Sequence, residues 1–322
     1  MIKILQRVTN VFNHFAMRLI FYYICVSKSK LEMERDGVII GIGEVLFDLL
    51  PEGKQLGGAP ANFVYHAIQL GCNGVVVSAV GCDLLGDEVV ELLSANGVNH
   101  QITRVDAPTG TVPVTLDERG IPCYEICEGV AWDKLQLNDE VLTLAKRCDA
   151  ICFGTLAQRS EMSRKVIYNL IDAIPAERNA LVIYDINLRQ NYYSKELIEA
   201  SLNRCNILKI NDEEFFTIAP MLDLVADDFV VGARELIERY GLKMVVVTCG
   251  EKGSIIVTKN EVSKLETPKV EVVDTVGAGD SFTAALCAGL LQGKDIREVH
   301  RKAVEVAAFV CKNAGAMPPY EE

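Results

Sequence analysis

The chain has 322 residues, of which 50% are hydrophobic, so it is long enough to bury a large core in one α/β domain. Its formal net charge of -12 argues against a protein that binds nucleic acid or an anionic membrane surface. The 11 cysteines are odd in number, scattered and often within apolar runs, which is typical of a reducing compartment. We therefore expect a cytoplasmic protein with no nucleic-acid partner and no membrane partner.

The N-terminal segment differs in composition from the rest of the chain. Lys3, Arg7 and Arg18 flank a short apolar run at residues 19–26, as in a secretory signal, but no small-residue cleavage site follows it. The run is also too short to span a bilayer. We therefore predict that residues 1–36 are an extension outside the fold and that the domain covers residues 37–322. A chain that starts at Met33 should be soluble and fully active.

The domain begins with an apolar run at residues 37–43 that predicts a buried strand. Its Gly-Ile-Gly end is a weak sign of a dinucleotide site, because the rest of that fingerprint is missing. Asp48 follows this strand, and a turn at residues 57–60 leads into a helix predicted over residues 61–70. Taken alone, Asp48 and Asn62 would be a strand-end aspartate and a helix-start amide.

A second kind of pattern follows between residues 101 and 130. Two alternating segments, 111–116 and 121–126, flank a turn at 117–120, which predicts a β-hairpin. Such strands cannot easily join a parallel sheet without crossover helices. We therefore predict a projecting β-sheet lid built from about residues 48–57 and 101–130, with a plain surface hairpin as the alternative.

From Asp149 onward, predicted strands alternate with predicted helices. This alternation indicates an α/β fold with a parallel sheet and helices on both faces. Ligands bind at the carboxyl ends of the strands in such folds. Polar clusters follow successive strands at residues 185–189, 211–214 and 248–253, so we expect a site along that edge.

The most informative stretch is the glycine-rich segment 274–280, between a run at 269–273 that reads as a strand and a helix predicted over 281–291. Gly277 and Gly279 permit a tight turn whose backbone N–H groups converge at a helix N-terminus, which favours an anion. Asp280 occupies the place of the phosphate, which makes sense if a hydroxyl must lose a proton while it attacks that phosphate. The alternative is that Asp280 and Ser281 cap the helix.

Residues 274–280, Asp-Thr-Val-Gly-Ala-Gly-Asp, resemble the signature of ribokinase-like (PfkB) sugar kinases. Residues 57–62, Gly-Gly-Ala-Pro-Ala-Asn, resemble the second signature of that family. The resemblance covers roughly Gly37 to Pro319 and is closest to bacterial fructokinases. It implies a ribokinase-like fold: a central, mostly parallel sheet flanked by helices on both faces, with a small β-sheet lid that excludes water from the sugar.

The resemblance also implies the reaction, which is ATP-dependent phosphorylation of a sugar primary hydroxyl. Fructose is the first choice of substrate, and 2-keto-3-deoxygluconate is the alternative. Asp280 would be the general base, and Gly277, Ala278 and Gly279 would form an anion hole. The residues expected to hold the sugar are Asp48, Gly57, Gly58, Asn62 and Arg189. Arg189 is included as the nearest fixed positive charge, unless it only pairs with Asp185.

The cofactors implied are ATP, Mg²⁺ and K⁺. Asn211 and Glu214 match an Asn-x-x-Glu element that orders Mg²⁺ and phosphate through water, although Glu214 could equally be a first-turn helix acid. The remaining assignments are the nucleotide-binding turn at Thr248, Gly250 and Gly253, Asn313 beside adenine, and Asp274 and Thr275 at the K⁺ site.

The expected partners are therefore small molecules, a sugar and ATP, with a homodimer formed through the lid. A rival from another class is a non-catalytic sugar or nucleotide sensor, which should lack the Asp280 base. A second rival is a dinucleotide-dependent oxidoreductase, for which the glycine spacing and the lid are wrong.

Overall fold

A computed structural model of the chain describes residues 37–50, 53–116 and 122–320. The predicted N-terminal extension and the predicted turn at 117–120 lie outside these residues. The strands are β1 (Val38–Ile42), β2 (Leu46–Leu50), β3 (Gly53–Gly57), β4 (Gly74–Gly81), β5 (Asn99–Val105), β6 (Gly110–Leu116), β7 (Pro122–Tyr124), β8 (Cys148–Phe153), β9 (Leu181–Asp185), β10 (Ile207–Asn211), β11 (Met244–Thr248), β12 (Ser254–Thr258) and β13 (Val262–Leu265). The helices are α1 (Ala59–Gln69), α2 (Leu84–Ala95), α3 (Asp139–Ala145), α4 (Glu161–Asp172), α5 (Lys195–Leu202), α6 (Asp212–Ile218), α7 (Phe229–Tyr240), α8 (Ala278–Leu291) and α9 (Ile296–Cys311). Among the described residues, no helix is both long and apolar enough to cross a membrane.

The main sheet has nine strands in the order β13-β12-β11-β10-β9-β8-β1-β4-β5. The strands from β11 to β5 are parallel to one another, whereas β12 is antiparallel to β11 and β13 is antiparallel to β12. Strands β9, β10 and β11 are neighbours, so the polar residues at their carboxyl ends lie along one edge of the sheet. This confirms the predicted mostly parallel sheet.

Helices cover both faces of the main sheet, as predicted. Side chains alternate along the strands, so that Ile39 of β1 belongs to one apolar core and Ile40 to the other. The core that contains Ile39 is closed by α1, α2, α8 and α9, and the core that contains Ile40 is closed by α3 to α7. The two glycine-rich elements both lead into helices of the first group, which places them on the same face.

The predicted lid is a separate four-stranded sheet in the order β3-β2-β6-β7. The β6–β7 and β2–β3 pairs are antiparallel, and β2 pairs with β6 in parallel. Two details of the prediction were wrong. Residues 101–105 belong to β5, which pairs with β4 at the edge of the main sheet, and Asp48 lies within β2 rather than at the end of the first strand. A half-exposed edge strand such as β5 has a weak apolar pattern, which explains the first error.

The segment before α8 also differs from its prediction. Residues 266–275 form an irregular loop rather than a strand, and α8 begins three residues before the predicted start. Pro268 has no N–H to donate to a sheet, and the segment finds no partner strand among the described residues, so Val272 and Val273 stay exposed. The loop gives the glycine-rich turn an open side.

Candidate active site

The glycine-rich turn before α8 forms a helix N-terminus without a side-chain cap. Gly277 is the N-cap residue with a left-handed φ of 78°. A Cβ there would lie 2.7 Å from the carbonyl oxygen of Ala316, so both conformation and space require glycine. The helix starts at Ala278, and no side chain caps it. The Ala278 N–H donates to the Thr275 carbonyl at 3.3 Å. The N–H groups of Gly279 and Asp280 and the positive end of the dipole therefore remain available to an anionic ligand.

This open terminus contrasts with most helices of the described residues. Six of them have an N-cap side chain that accepts hydrogen bonds from first-turn N–H groups: Asp83, Asn138, Ser194, Asn211, Asp228 and Asp295. In α8 the N-cap is Gly277, and the Ser281 hydroxyl donates instead to the carbonyl of Ala278 at 2.9 Å. The interpretation of Asp280 and Ser281 as caps of this helix is therefore wrong.

Asp280 lies in the first turn of α8 and meets the other glycine-rich element through Asn62. Asn62 Nδ2 donates to Asp280 Oδ2 at 2.8 Å, although the residues are 218 positions apart in the chain. Asn62 is buried, and Asp280 is partly exposed. Burial and the charge of Asp185 raise the pKa of Asp280 to about 6. Such a carboxylate is ionised at neutral pH and is still basic enough to accept a proton.

A buried ion pair lies directly beside the glycine-rich turn. Lys209 Nζ is 3.0 Å from Asp185 Oδ1, and Thr283 Oγ1 of α8 donates to Asp185 Oδ2 at 2.9 Å. A Cβ on Gly279 would lie 2.9 Å from Lys209 Nζ, so the ammonium group contacts the turn itself. Burial alone would lower the pKa of Lys209, but the charge of Asp185 and of two further carboxylates outweighs it, and the pKa is raised. The turn therefore has a stable positive charge next to it.

The residues predicted to hold the sugar lie together near the N-terminus of α1. Gly58 is its N-cap with a φ of 114°, and a Cβ there would collide with the carbonyl oxygen of Glu44. A Cβ on Gly57 would lie 2.8 Å from Asp48 Oδ2, so this glycine leaves room for the carboxyl group. Burial raises the pKa of Asp48, which is consistent with a carboxyl group that is partly withdrawn from water.

Arg189, in the loop after β9, faces the carboxyl groups of this region. Burial raises the pKa values of three of them, and the positive charge of Arg189 opposes each shift. These three residues are Glu44, Asp48 and Asp280. The cation found at Asp185 is Lys209, whereas the Arg189 guanidinium donates to the Leu188 carbonyl at 3.1 Å. The Arg189 side chain is exposed and is therefore accessible to a ligand.

Asn211 and Glu214 form a capping box at the start of α6. Asn211 Oδ1 accepts from the Glu214 N–H at 2.8 Å, and Glu214 Oε2 accepts from the Asn211 N–H at 2.9 Å. Glu214 Oε1 accepts from the Leu188 N–H at 2.8 Å, so backbone donors engage both carboxylate oxygens. These contacts are those of a first-turn helix acid. A metal ion could reach this carboxylate without breaking them only through water.

The predicted nucleotide-binding turn lies next to this capping box. Thr248 ends β11 opposite Asn211 of β10, and the chain then turns through Gly250 and Gly253 into β12. The Cys249 N–H donates to the Gly253 carbonyl at 2.8 Å and closes the turn. A surface pocket of about 460 Å³ borders the turn and the start of α6.

Asp274 fastens the segment after α9 to the glycine-rich turn. Its Oδ1 accepts from the Val276 N–H and its Oδ2 from the Gly315 N–H, both at 3.0 Å. Thr275 beside it is exposed. Asn313 lies in the same segment, but its side chain donates back to a carbonyl of α9 at 2.8 Å. The structure thus brings Asp274 to the C-terminal turn and leaves the Asn313 amide engaged elsewhere.

Helix α1 reaches the same segment through His66, one turn after Asn62. His66 Nε2 donates to the Ala316 carbonyl at 2.8 Å, and Nδ1 accepts from the Tyr320 hydroxyl at 3.0 Å. This tautomer follows because a carbonyl can only accept. The ring is fully buried, and burial lowers the pKa of His66 to about 4, so it is neutral. One face of α1 therefore contacts both α8 and the segment after α9.

Three side chains of this region have no role predicted from the sequence: Glu44, Lys209 and His66. Lys209 is a single charge inside the apolar strand β10, and lysine is almost never buried without a partner, so this signal was available. Glu44 directly follows the predicted first strand, and His66 lies within a predicted helix, so neither residue stands out in the sequence. Their contacts come from the folded arrangement, which the sequence does not display.

The family of the chain follows from comparison with known proteins. A phosphoryl-transfer site is indicated by an uncapped helix terminus, a raised-pKa carboxylate and a cation at the carboxyl edge of a parallel sheet. A model of the pfkB family carbohydrate kinases matches residues 52–322. The chain belongs to this family and is a phosphotransferase, as the two glycine-rich signatures implied.

Individual relatives agree with this assignment. The chain is 30% identical to the fructokinase of Klebsiella pneumoniae over 268 residues, which are 79% of this chain and 85% of that protein. An uncharacterized sugar kinase of Pyrococcus horikoshii, solved in complex with ATP, is 27% identical with a TM-score of 0.72, over 87% of this chain and 94% of that one. The fructokinase of Vibrio cholerae O395, solved with fructose, ADP and a calcium ion, has a TM-score of 0.74 at 23% identity, over 88% and 96%. This last likeness shows the shared fold.

The buried ion pair can be tested through stability. Replacing Lys209 by Met should lower the free energy of unfolding by about 3–5 kcal/mol, because the Asp185 carboxylate would stay buried without its partner. Adding Asp185→Asn removes that unpaired charge and should recover most of the loss. Urea unfolding of the single and double variants measures both values. A single variant as stable as the parent would contradict the pairing.

Proposed function

We propose that the protein is an ATP-dependent fructokinase that converts D-fructose to fructose 6-phosphate. The observation that carries the proposal is the hydrogen bond from Asn62 to Asp280 at the uncapped terminus of α8. It joins a residue expected to hold a sugar to a carboxylate placed beside an anion-binding turn. A base and a phosphoryl site are useful together only if the hydroxyl of a bound substrate attacks the phosphoryl group.

In the proposed mechanism, Asp280 Oδ1 takes the proton of the sugar's primary hydroxyl, since Oδ2 already accepts from Asn62. The hydroxyl oxygen forms a bond to the terminal phosphorus of ATP while the bond from that phosphorus to the bridging oxygen breaks, and ADP leaves. N–H groups at Gly277, Ala278 and Gly279 stabilise the negative charge of the moving group, and Lys209 adds to the positive potential. Asp280 then releases its proton to water.

The proposal includes Mg²⁺ and K⁺. Within the described residues no three metal-ligating side chains converge, which fits Mg²⁺, since that ion keeps several waters and uses substrate phosphates as ligands. Glu214 and Asn211 would hold its water shell, and the ion would neutralise charge on the phosphates. Asp274 would contribute to a K⁺ site with backbone carbonyls of the C-terminal turn, to which its carboxylate is already tied.

Fructose is preferred over a keto-acid sugar for an electrostatic reason. The sugar side has three carboxyl groups, at Glu44, Asp48 and Asp280, and the one guanidinium of Arg189 faces all of them. An added substrate carboxylate would be repelled by the ionised members of this set. The relationship to a Klebsiella fructokinase supports the same choice. Arg189 is the feature that favours 2-keto-3-deoxygluconate, which is therefore the second candidate.

A coupled ADP-release assay of the purified protein tests the substrate. Fructose, ribose and 2-keto-3-deoxygluconate are compared at equal concentration with ATP and Mg²⁺, and fructose should give the highest kcat/KM. Faster turnover of the keto acid would select the second candidate. Binding of sugar and ATP without any ADP release would instead support a sensor.

The base assignment predicts the behaviour of Asp280→Asn. The amide keeps an oxygen for Asn62 but cannot take the proton, so kcat should fall by ~10²–10⁴-fold. Affinity for ATP, measured by calorimetry, should persist because backbone N–H groups hold the phosphates. Asp295→Asn, the same change at the N-cap of α9, is the matched control and should keep full activity. Near-normal kcat in a folded Asp280→Asn protein would refute the assignment.

The raised pKa of Asp280 predicts a pH profile. The base must be ionised to work, so kcat at saturating fructose should be steady near neutral pH and fall about tenfold per unit below about 6. An aspartate with an ordinary pKa would stay active to about pH 4. Initial rates at saturating fructose between pH 5 and 8 measure the midpoint. A midpoint near the ordinary value would contradict the environment described for Asp280.

The proposal extends to a lid, a homodimer and a cytoplasmic location. The small sheet would close over the sugar as a lid, and a homodimer would form through the same sheet, which analytical ultracentrifugation tests through the mass in solution. A cytoplasmic location is supported by the nine described cysteines, all of which are free thiols.

A further inference from the structure

Two buried oxygen atoms near the Asp280 carboxylate have no hydrogen-bond donor. They are Oε2 of Glu44 and Oδ1 of Asn62, whose residues are 3% and 4% exposed. The other buried side-chain atoms of the described residues without a partner are all nitrogens. The two unmatched acceptors therefore occur together, at the start of α1, and nowhere else in the described part of the chain.

Glu44 packs against the start of α1. Its carbonyl oxygen occupies the space that a side chain on Gly58, the N-cap residue, would need. Backbone N–H groups of Ala59, the first residue of α1, and of Glu44 itself favour the ionised carboxyl and lower its pKa against the effect of burial. Glu44 therefore lies directly beside the N-terminal turn of α1.

The Glu44 carboxyl lies in the same region as Asp280 and Arg189. Its pKa is raised to about 7, chiefly by burial and also by the charge of Asp280, while the charge of Arg189 opposes the rise. Asn62 is on the same first turn of α1 as Ala59, and its amide donates to Asp280. The unmatched acceptors therefore border the carboxylate that would receive the substrate proton.

The chemistry of the set restricts what can complete it. A buried acceptor without a donor is unfavourable, so a ligand that supplies O–H groups binds better than one that does not. A neutral polyol offers several such donors at short spacing. An anionic group offers only further acceptors and would be repelled by Asp280.

We propose that Glu44 is a specificity-determining residue whose Oε2 accepts a hydrogen bond from a hydroxyl group of the bound sugar. This inference rests on the proposed function, since it places the acceptor in the sugar site. Glu44 then has two separate roles, because its backbone packs against the start of α1 and its Oε2 selects a hydroxylated, uncharged substrate. A purely structural Glu44 would have only the first role.

The test compares Glu44→Gln with the parent protein. The amide keeps an oxygen that can face Ala59 but removes the carboxylate acceptor, and the assay is run at pH 8, where most of the Glu44 carboxyl is ionised. KM for fructose should rise ~10–100-fold, which corresponds to loss of one hydrogen bond to a charged group, and the Kd for ATP should stay within about twofold. Asp83→Asn is the matched control, because Asp83 is a carboxylate that caps α2 with both oxygens engaged. It should leave KM for fructose unchanged.

Monodeoxy analogues of fructose separate recognition from structure. With the parent protein, one analogue should have a lower kcat/KM than fructose, by a factor similar to the loss that Glu44→Gln causes with fructose. With the Glu44→Gln variant, the same analogue should have nearly the same kcat/KM as fructose. Additive losses for every analogue, or an unchanged KM for fructose in Glu44→Gln, would overturn the proposal and leave Glu44 as a residue that packs against the start of α1, with water at Oε2.

If Glu44→Gln fails to fold, Glu44→Asp provides a second test, because it retains the charge but its shorter side chain withdraws the oxygen from the sugar. The same rise in KM for fructose is expected. If the parent phosphorylates another sugar of the panel rather than fructose, the proposed function fails, and the analogue cycle is run on the deoxy forms of that sugar. The two failures are therefore distinguishable.

Discussion

The hydrogen bond between Asn62 and Asp280 is the contact on which the site depends. It joins the N-terminal turns of α1 and α8, two helices that pack on the same face of the main sheet and begin at glycines with positive φ. Each glycine is required because a neighbouring backbone occupies the position of a Cβ. The residues proposed to bind the sugar and the turn proposed to bind phosphate are thus aligned by rigid elements rather than by loops, which suits preorganised catalysis.

Charge balance is the second constraint. A general base works best when its pKa lies near but below the working pH, and the surroundings of Asp280 act on its pKa in both directions. Burial and Asp185 raise it, whereas Asn62, Lys209 and Arg189 lower it. Lys209 therefore has two electrostatic effects. It neutralises Asp185, and it places a positive charge beside the glycine-rich turn. A buried pair of this kind contributes little net stability, so its value lies in the electrostatics of the site.

Much of this arrangement could be predicted from the sequence, and the limits have physical causes. The alternation of strands and helices gave the main sheet, and the two glycine-rich segments gave the family, because turn chemistry is local. The errors fell where local signals are weak: the edge strand β5 has a half-exposed face, and residues 269–273 have strand-like residues but no sheet to join. Lys209, Glu44 and His66 could not be given partners, because a burial partner is a property of the folded chain. The roles of the individual site residues remain predictions.

The contact between His66 and Ala316 has a consequence for how the protein is made. The two residues are 250 positions apart, yet the carbonyl that His66 binds belongs to the segment that packs against Gly277. During synthesis, α1 and most of the sheet leave the ribosome long before that segment does. Until the segment after α9 is in place, the imidazole of His66 lacks its hydrogen-bond acceptor, and Gly277 lacks the residue that packs against it. The glycine-rich turn therefore cannot reach its folded arrangement before the segment after α9 has been synthesised.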